Sequence, residues 1–405
     1  MRSPALLFLA LVMVCPPWVR PVAARDYRVS VAASDVDRAG SLVTLALPKD
    51  APKDPVLRDA AGKTLPLQVE ADGSARFVVP AQKAGAVLAF TLVSGAQTAR
   101  DAVSVSRDQG DVRVRVGGQP LLSYRTDRNV LPRADIKPEI VRAGYIHPIF
   151  SPAGKLVTDD YPSNHAHHHG IWAPWTKTKF QGRTPDFWNM QDKTGAEEFV
   201  ALERTWSGPV HGGFSARHQM IDSSAPQPVA ALNVTWELTA YALDAARAVR
   251  MFDLLITQTC ATTDPLILPQ YHYGGFGFRG AGAWNGPGEA ARFLTSEGLT
   301  DRIQGNNTRA RWCYLGGQVE GGALAGTATL GHPANLRAPQ PVRLHPNMPY
   351  FSLVPQQLGE FQIEPGRPYV ARFRFVVMDG PPDRALLDAY WNGYARPATG
   401  ELTPL

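Results

Sequence analysis

Along most of the chain apolar residues recur at every second position in short runs, the period of a half-buried strand and not of a helix. The segment from Tyr369 to Val377 alternates most regularly, with Val370, Arg372 and Arg374 on one face and Ala371, Phe373 and Phe375 on the other. Similar runs start at Tyr27, at Ser41 (ending at Pro48), at Ala75 (ending at Pro80), at Val112, at Ala230 and at Val249, with turns at Asp59–Gly62 and Asp72–Gly73. Short strands punctuated in this way predict an all-β protein. The segments 25–110 read as a small N-terminal β-sandwich-like domain and 111–405 as a large region of stacked antiparallel sheets, joined where Ser, Asp and Gly cluster between Arg100 and Gly110. Helical spacing is confined to Asp383–Tyr394, where Leu386, Leu387, Tyr390 and Trp391 share a face; it predicts a short C-terminal helix capping a sheet edge.

Composition agrees with strands and narrows the function. The 405 residues contain 36 Gly and 35 Pro, scattered as turn punctuation. A net charge of +5 is spread over the chain without a basic block, so no nucleic-acid footprint is present. Arg2, the apolar run Ala5–Val14 and the small residues Val22, Ala23 and Ala24 predict a signal peptide over 1–24 and export to the periplasm or beyond. No apolar run reaches the length of a membrane span. Beyond the leader only Cys260 and Cys313 remain, as one disulfide or two free thiols. The oligomeric state is left open.

Candidate chemistry concentrates between Asp159 and Gly170, where His165, His167, His168 and His169 follow Asp159 and Asp160. Strand alternation would put His165, His167 and His169 on one face and His168 on the other, while a helix would pair His165 with His169. Either arrangement offers nitrogens to a divalent metal, with Asp160 completing a His165, His167, His169 set. The alternative use is proton transfer near neutral pH. Around this segment His147, Trp172, Trp175, Trp188 and Asn189 supply aromatic faces and polar partners of the kind a sugar ring needs. Tyr271, His272 and Tyr273 emerge at a strand end, followed by Arg279. His345, Glu360 and Glu364 offer a late histidine and further bases, and Arg302, Asn306 and Asn307 read as a solvated loop. No Gly-x-Ser-x-Gly is present for a serine hydrolase.

The runs Tyr145–Gly154 and Thr158–Trp172, with Arg38–Val43 and Tyr271–Gly275, resemble an uncharacterised bacterial family labelled "methane oxygenase PmoA". Asn164–Gly170, His272-Tyr273 and the Pro365-Gly366 turn are also similar to galactose-mutarotase-like β-supersandwich enzymes, which include aldose epimerases, polysaccharide lyases and glycoside hydrolases. The second resemblance implies a carbohydrate or glycoside substrate, oxidised or unmodified, and a lyase or hydrolase reaction without an obligatory cofactor. It implies His272 with one of His165, His167 or His168 as base and acid, Glu360 in the place of a catalytic glutamate, and Arg279 against developing negative charge. His147, Asp160, Trp172, Trp175, Trp188, Asn189, Tyr271 and Tyr273 would surround the ring. Non-catalytic carbohydrate binding is the remaining alternative.

Overall fold

A computed structural model of the protein describes residues 24–96, 101–127, 133–244, 248–286 and 290–405, so the expected leader lies outside the described residues except for Ala24. The alternating runs form two eight-stranded antiparallel sheets that share one hydrophobic core. In spatial order the first sheet runs Val342–Leu344, Tyr350–Leu353, Gly277–Arg279, Ile171–Trp172, Tyr145–Ile149, Gln119–Arg125, Asp111–Val116 and Val103–Asp108. The second runs Gly195–Trp206, His211–Asp222, Val229–Tyr241, Val249–Cys260, Tyr369–Asp379, Leu324–Gly331, Trp312–Gln318 and Ala291–Thr295. The fold is therefore all-β. No helix among the described residues is long and apolar enough to cross a membrane.

Period-two alternation sorts side chains as expected in Tyr369–Asp379. Ala371, Phe373, Phe375 and Val377 enter the core between the sheets, while Val376 and Met378 lie on the other face. Arg374 sits on that outer face too, directly across from Asp253, and both guanidinium bonds to the Asp253 carboxylate are short at 2.7 and 2.8 Å. The helix Arg384–Ala395 covers this outer face, a correction to the sheet-edge cap expected from its pattern. The reason is apolar area: Met251, Trp312, Tyr314 and Val376 line the face and would meet water without Leu387 and Tyr390 above them. Asp383 caps the helix by accepting the Leu386 amide at 3.1 Å.

The N-terminal segment makes a five-stranded and a three-stranded sheet around a separate core of Val29, Val31, Val43, Leu45, Phe77, Val79 and Leu92. The chain's last strand, Gly400–Pro404, pairs with Tyr27–Val31 in the five-stranded sheet, and Val103–Asp108 already belongs to the first large sheet. Pro80 does not end its strand: Ser74–Gln82 continues through it, because the partner strand pairs Ala39 with Ala81 and Ser41 with Val79 and skips Gly40. A missing amide is harmless where the ladder is already interrupted. Among the described residues, Cys260 and Cys313 are free thiols.

Gly40 is also where the N-terminal unit touches the large sheets. Its φ is +63°, and a Cβ there would lie 2.7 Å from Met251 Sδ and 2.8 Å from the Tyr390 ring. Its carbonyl accepts Arg374 Nη1 at 2.7 Å. Gly40→Ala combines a left-handed backbone with overpacking, so we expect a loss of roughly 1–3 kcal/mol, read as a lowered urea midpoint. An unchanged midpoint would show that the contact yields freely.

Candidate active site

The histidine segment adopts neither regular alternative. From Tyr161 (φ +47°) the chain makes successive turns, with the His165 amide on the Pro162 carbonyl at 3.0 Å and the His168 amide on the His165 carbonyl at 2.9 Å. The Tyr161 amide closes the loop on the His168 carbonyl at 3.0 Å. As a result His165, His167 and His168 face one pocket and His169 faces away, contrary to both the strand and the helix expectation.

That pocket has a volume of about 160 Å³ and is lined by the three histidines together with His272, His345, Trp188, Asn189, Tyr273, Arg343, Met348 and Tyr350. Ring centres of His165 lie 5.0 Å from His168, 5.6 Å from His167 and 5.9 Å from His345. Its volume is below the roughly 300–1,000 Å³ of a drug-sized site, so it admits one ring-sized group. A larger groove of about 1100 Å³, lined by Asn164, Arg292, Phe293, Arg302 and Asn347 among others, includes residues one and two positions from His165 and His345.

Local structure explains how these groups converge. Asp186 accepts the Trp188 amide at 3.0 Å and the Asn189 amide at 2.8 Å, and its other oxygen takes Thr176 Oγ1 at 2.7 Å and Asn189 Nδ2 at 2.9 Å. This holds Trp188 against Tyr273, 5.3 Å between rings, and lets Asn189 Nδ2 donate to the Tyr273 hydroxyl at 3.2 Å. The strand Val342–Leu344 carries Arg343, with His345 two positions on and on the same side. Arg302, expected in a solvated loop, instead braces the His345 loop by donating to the carbonyls of His345, Pro346 and Met348 at 3.2–3.4 Å. Asn306 Oδ1 holds the strand before that loop by accepting the Leu344 amide at 3.1 Å.

Burial dominates the electrostatics. His167 is pushed down to about 3 and His345 to about 4, first by burial and then by neighbouring imidazoles and arginines. His168 lies well below its usual value for the same reasons, and His165 and His272 are lowered as well. The pocket therefore holds neutral imidazoles at pH 7. Behind His168 stands Arg279, 0% exposed, with its guanidinium shared among Asn164 Oδ1 (3.1 Å), Asn285 Oδ1 (2.6 Å), Met348 Sδ (3.1 Å) and His168 Nδ1 (3.5 Å). Burial brings its pKa down to about 10.

Several expected residues fall elsewhere. His169 is buried with Nδ1 2.6 Å from Asp160 Oδ1 and its ring stacked 4.1 Å from Tyr145, whose hydroxyl donates to the other Asp160 oxygen at 2.9 Å. Burial raises the Asp160 carboxyl, but the bonds from His169 and Tyr145 outweigh it and leave the group below its usual value. His147 joins this second group through Thr158 Oγ1 at 3.0 Å and is pushed down to about 4 by burial. The set His165, His167, His169 and Asp160 is thus split between two places, and among the described residues no three His, Cys, Asp or Glu side chains are arranged to hold a metal ion. Trp172 and Trp175 are buried; Trp172 packs under His168, and Trp175 is a core residue that donates to Gln258 at 2.6 Å. Tyr271 packs on His272 and Tyr273 without lining the pocket, and burial raises it to about 12. Glu360 is surface-exposed, 3.7 Å from Lys179, and does not line the pocket. Spacing does not single out Arg343, Met348 or Tyr350, although the buried Val342 and Leu344 around Arg343 mark it as the outward residue of a strand.

An all-β protein of two packed antiparallel sheets with a histidine-lined pocket is the class that fold and site define. The chain belongs to a family of unknown function (DUF6807), whose model matches residues 111–392. That match adds no activity and lends nothing to the oxygenase label. Among solved structures, similar chains include an alpha-mannosidase from Enterococcus faecalis V583, with 9% identity and a TM-score of 0.45 over 93% of this chain and 46% of that one. Another is a protein in the glycosyl hydrolase family 38 from Enterococcus faecalis, with 8% identity and a TM-score of 0.42 over 95% of this chain and 49% of that one. The chain spans about half the length of each. No curated protein matches it by sequence.

The lowered imidazoles fix a sign for acid stability. An unfolded histidine binds its proton near pH 6.5, whereas His167 and His345 resist protonation until about pH 3 to 4 in the folded protein. As pH falls below 6.5 the unfolded chain binds more protons, so stability is full at pH 7 and declines toward pH 4. Urea midpoints should fall between pH 7 and 5, with a shallower slope in a His167→Gln, His345→Gln double variant. A flat or rising midpoint over that range would contradict neutral burial.

Proposed function

We propose that the protein is an exported carbohydrate-active enzyme that moves a proton on a sugar ring bound in the histidine pocket. The observation that carries this reading is the convergence of five neutral imidazoles and two tyrosines on one ring-sized pocket that no carboxylate lines. Trp188, Tyr273 and Tyr350 offer flat faces to C–H surfaces, while Asn189 and the imidazoles offer hydrogen bonds to hydroxyls. The adjoining groove leaves room for the remainder of a larger glycoside.

His272, at the exposed rim, is the base. Burial and Arg343 lower it, so it is unprotonated at neutral pH, and it lacks the deep burial that makes His167 and His168 poor proton acceptors. Tyr273 is the acid: its oxygen already accepts from Asn189, which leaves its own proton free to be given to a leaving oxygen. Neutral imidazoles of His165, His167, His168 and His345 orient hydroxyls, and buried Arg279 provides positive potential for charge that develops on the ring.

This division of labour favours elimination over glycoside hydrolysis. Hydrolysis of the usual kind needs two carboxyl groups flanking the bond. Asp186, behind Asn189, is taken up by four hydrogen bonds, and Asp160 by His169 and Tyr145. In elimination from an oxidised ring the base removes the C–H proton beside the carbonyl or carboxyl carbon. That bond's electron pair forms a C=C bond as the β C–O bond breaks, and the departing oxygen takes the proton of Tyr273. Conjugated with that carbonyl or carboxylate, the product's new double bond absorbs ultraviolet light.

Screening purified protein against oxidised and unmodified glycosides tests the reading. We expect an unsaturated product from at least one, with kcat reduced roughly 100- to 10,000-fold in His272→Ala and in Tyr273→Phe. Binding of several glycosides with no turnover of any, or a His272→Ala enzyme within tenfold of the parent, would overturn it.

A further inference from the structure

The pocket holds positive charge with no carboxylate bonded to it. Arg343 lines it, half-exposed, and its only hydrogen bond among the described residues is a marginal one of 3.5 Å to the Leu344 carbonyl. No Asp or Glu lines the pocket, and among the described residues no carboxylate is bonded to Arg343 or Arg279, although Asp159 attracts Arg279 without a direct bond. Arg279 is the sharper case. It is fully buried, its four contacts are all to uncharged groups, and its Nε has no hydrogen-bond partner.

A guanidinium taken out of water is costly unless a negative charge accompanies it. The two other arginines buried to 2% exposure have a bonded carboxylate, whereas Arg250, at 8%, donates to the Val116 carbonyl instead. Arg142 has Glu197 at 2.8 Å and Arg374 has Asp253 at 2.7 Å. Arg279, the most buried of the four, lacks such a bonded carboxylate, and it stands directly behind His168 on the pocket wall. Arg343 reaches the same space from the strand Val342–Leu344, next to His272 and His345, and its charge is among the causes that lower both imidazoles. A neutral ring would leave this concentration of positive potential unanswered.

We propose that the pocket selects a sugar bearing an anionic substituent, with Arg343 as the group that grips the anion and Arg279 as a buried charge that favours it from behind His168. The guanidinium of Arg343 offers paired N–H donors to a carboxylate, sulfate or phosphate. Arg279 does not touch the ligand in this scheme; its bonds to Asn164 and Asn285 hold it in place, so it acts as a positioning charge. The inference rests on the reading of the pocket as a sugar site, and it concerns recognition, not turnover.

Calorimetric titration of the purified protein tests it without requiring activity. The probes are methyl glycosides of uronic acids, ring-sulfated and ring-phosphorylated sugars, and the matched neutral sugars. At least one anionic series should bind roughly 10- to 100-fold more tightly than its neutral match, and added salt should weaken that preference. The series that binds identifies the anion. Arg343→Gln should abolish the preference by bringing the anionic sugars to the affinity of their neutral matches, and Arg343→Lys should restore part of it. Neutral sugars binding as well as every anionic one, no anionic sugar binding at all, or an undiminished preference in Arg343→Gln would each overturn the proposal. Anionic sugars that bind with the expected preference but are never converted would sink the enzymatic reading and leave this one standing.

Discussion

A buried ion pair between Arg142 and Glu197 connects the sheets to the pocket. Both side chains are almost wholly buried, at 1% and 0% exposure, and lie 2.8 Å apart. Glu197 stands on the edge strand of the second sheet, and its other oxygen takes Nδ1 of His218 at 3.1 Å from the neighbouring strand. A carboxylate only accepts, so that nitrogen carries a proton, and the Tyr124 hydroxyl of the first sheet completes the chain at Nε2. The two large sheets are thus fastened through polar groups as well as apolar ones. Gly144 lies over the His218 ring with φ +82°, where a Cβ would come within 2.6 Å.

The other end of Arg142 points at the site. Its guanidinium donates to the Phe187 carbonyl at 2.7 Å, one residue before Trp188, and its amide donates to the Tyr161 hydroxyl at 2.9 Å. Tyr161 opens and closes the loop that carries His165, His167 and His168. Loss of either charge leaves the other buried alone, a penalty of about 3–5 kcal/mol. Such a pair is weak evidence for net stability, and its evident consequence is placement: the Trp188 wall and the histidine loop are set relative to the same pair of sheets. Within that frame the imidazoles crowd together, away from water, and remain neutral.

Strands and faces were legible in the sequence because period-two alternation is a local signal. The run from Tyr369 to Val377 and the runs at Ala230 and Val249 became long strands of the second sheet. The histidine loop was legible as a place but not as a shape. Its turns depend on Tyr161 in a left-handed conformation and on a bond from residue 161 to residue 168, which no spacing rule encodes, so His169 could not be told from His165. Trp172, Trp175 and Trp188 share a composition and differ only in what packs around them. The buried group of Arg142, Glu197, His218 and Tyr124 spans residues up to 94 positions apart and left no local pattern. Arg343 and His345 did leave one, a polar pair on alternate positions around a buried leucine, though a short strand makes it faint.

Neutral imidazoles in the pocket are the claim on which the chemistry rests, because a protonated cluster could neither accept a proton nor welcome two arginines. Imidazole carbon-bound proton resonances, assigned by single histidine substitutions and followed by nuclear magnetic resonance from pH 8 to 5, measure it directly. The account predicts that His167, His168 and His345 hold constant shifts across that range. A midpoint near pH 6.5 at any of the three would contradict it.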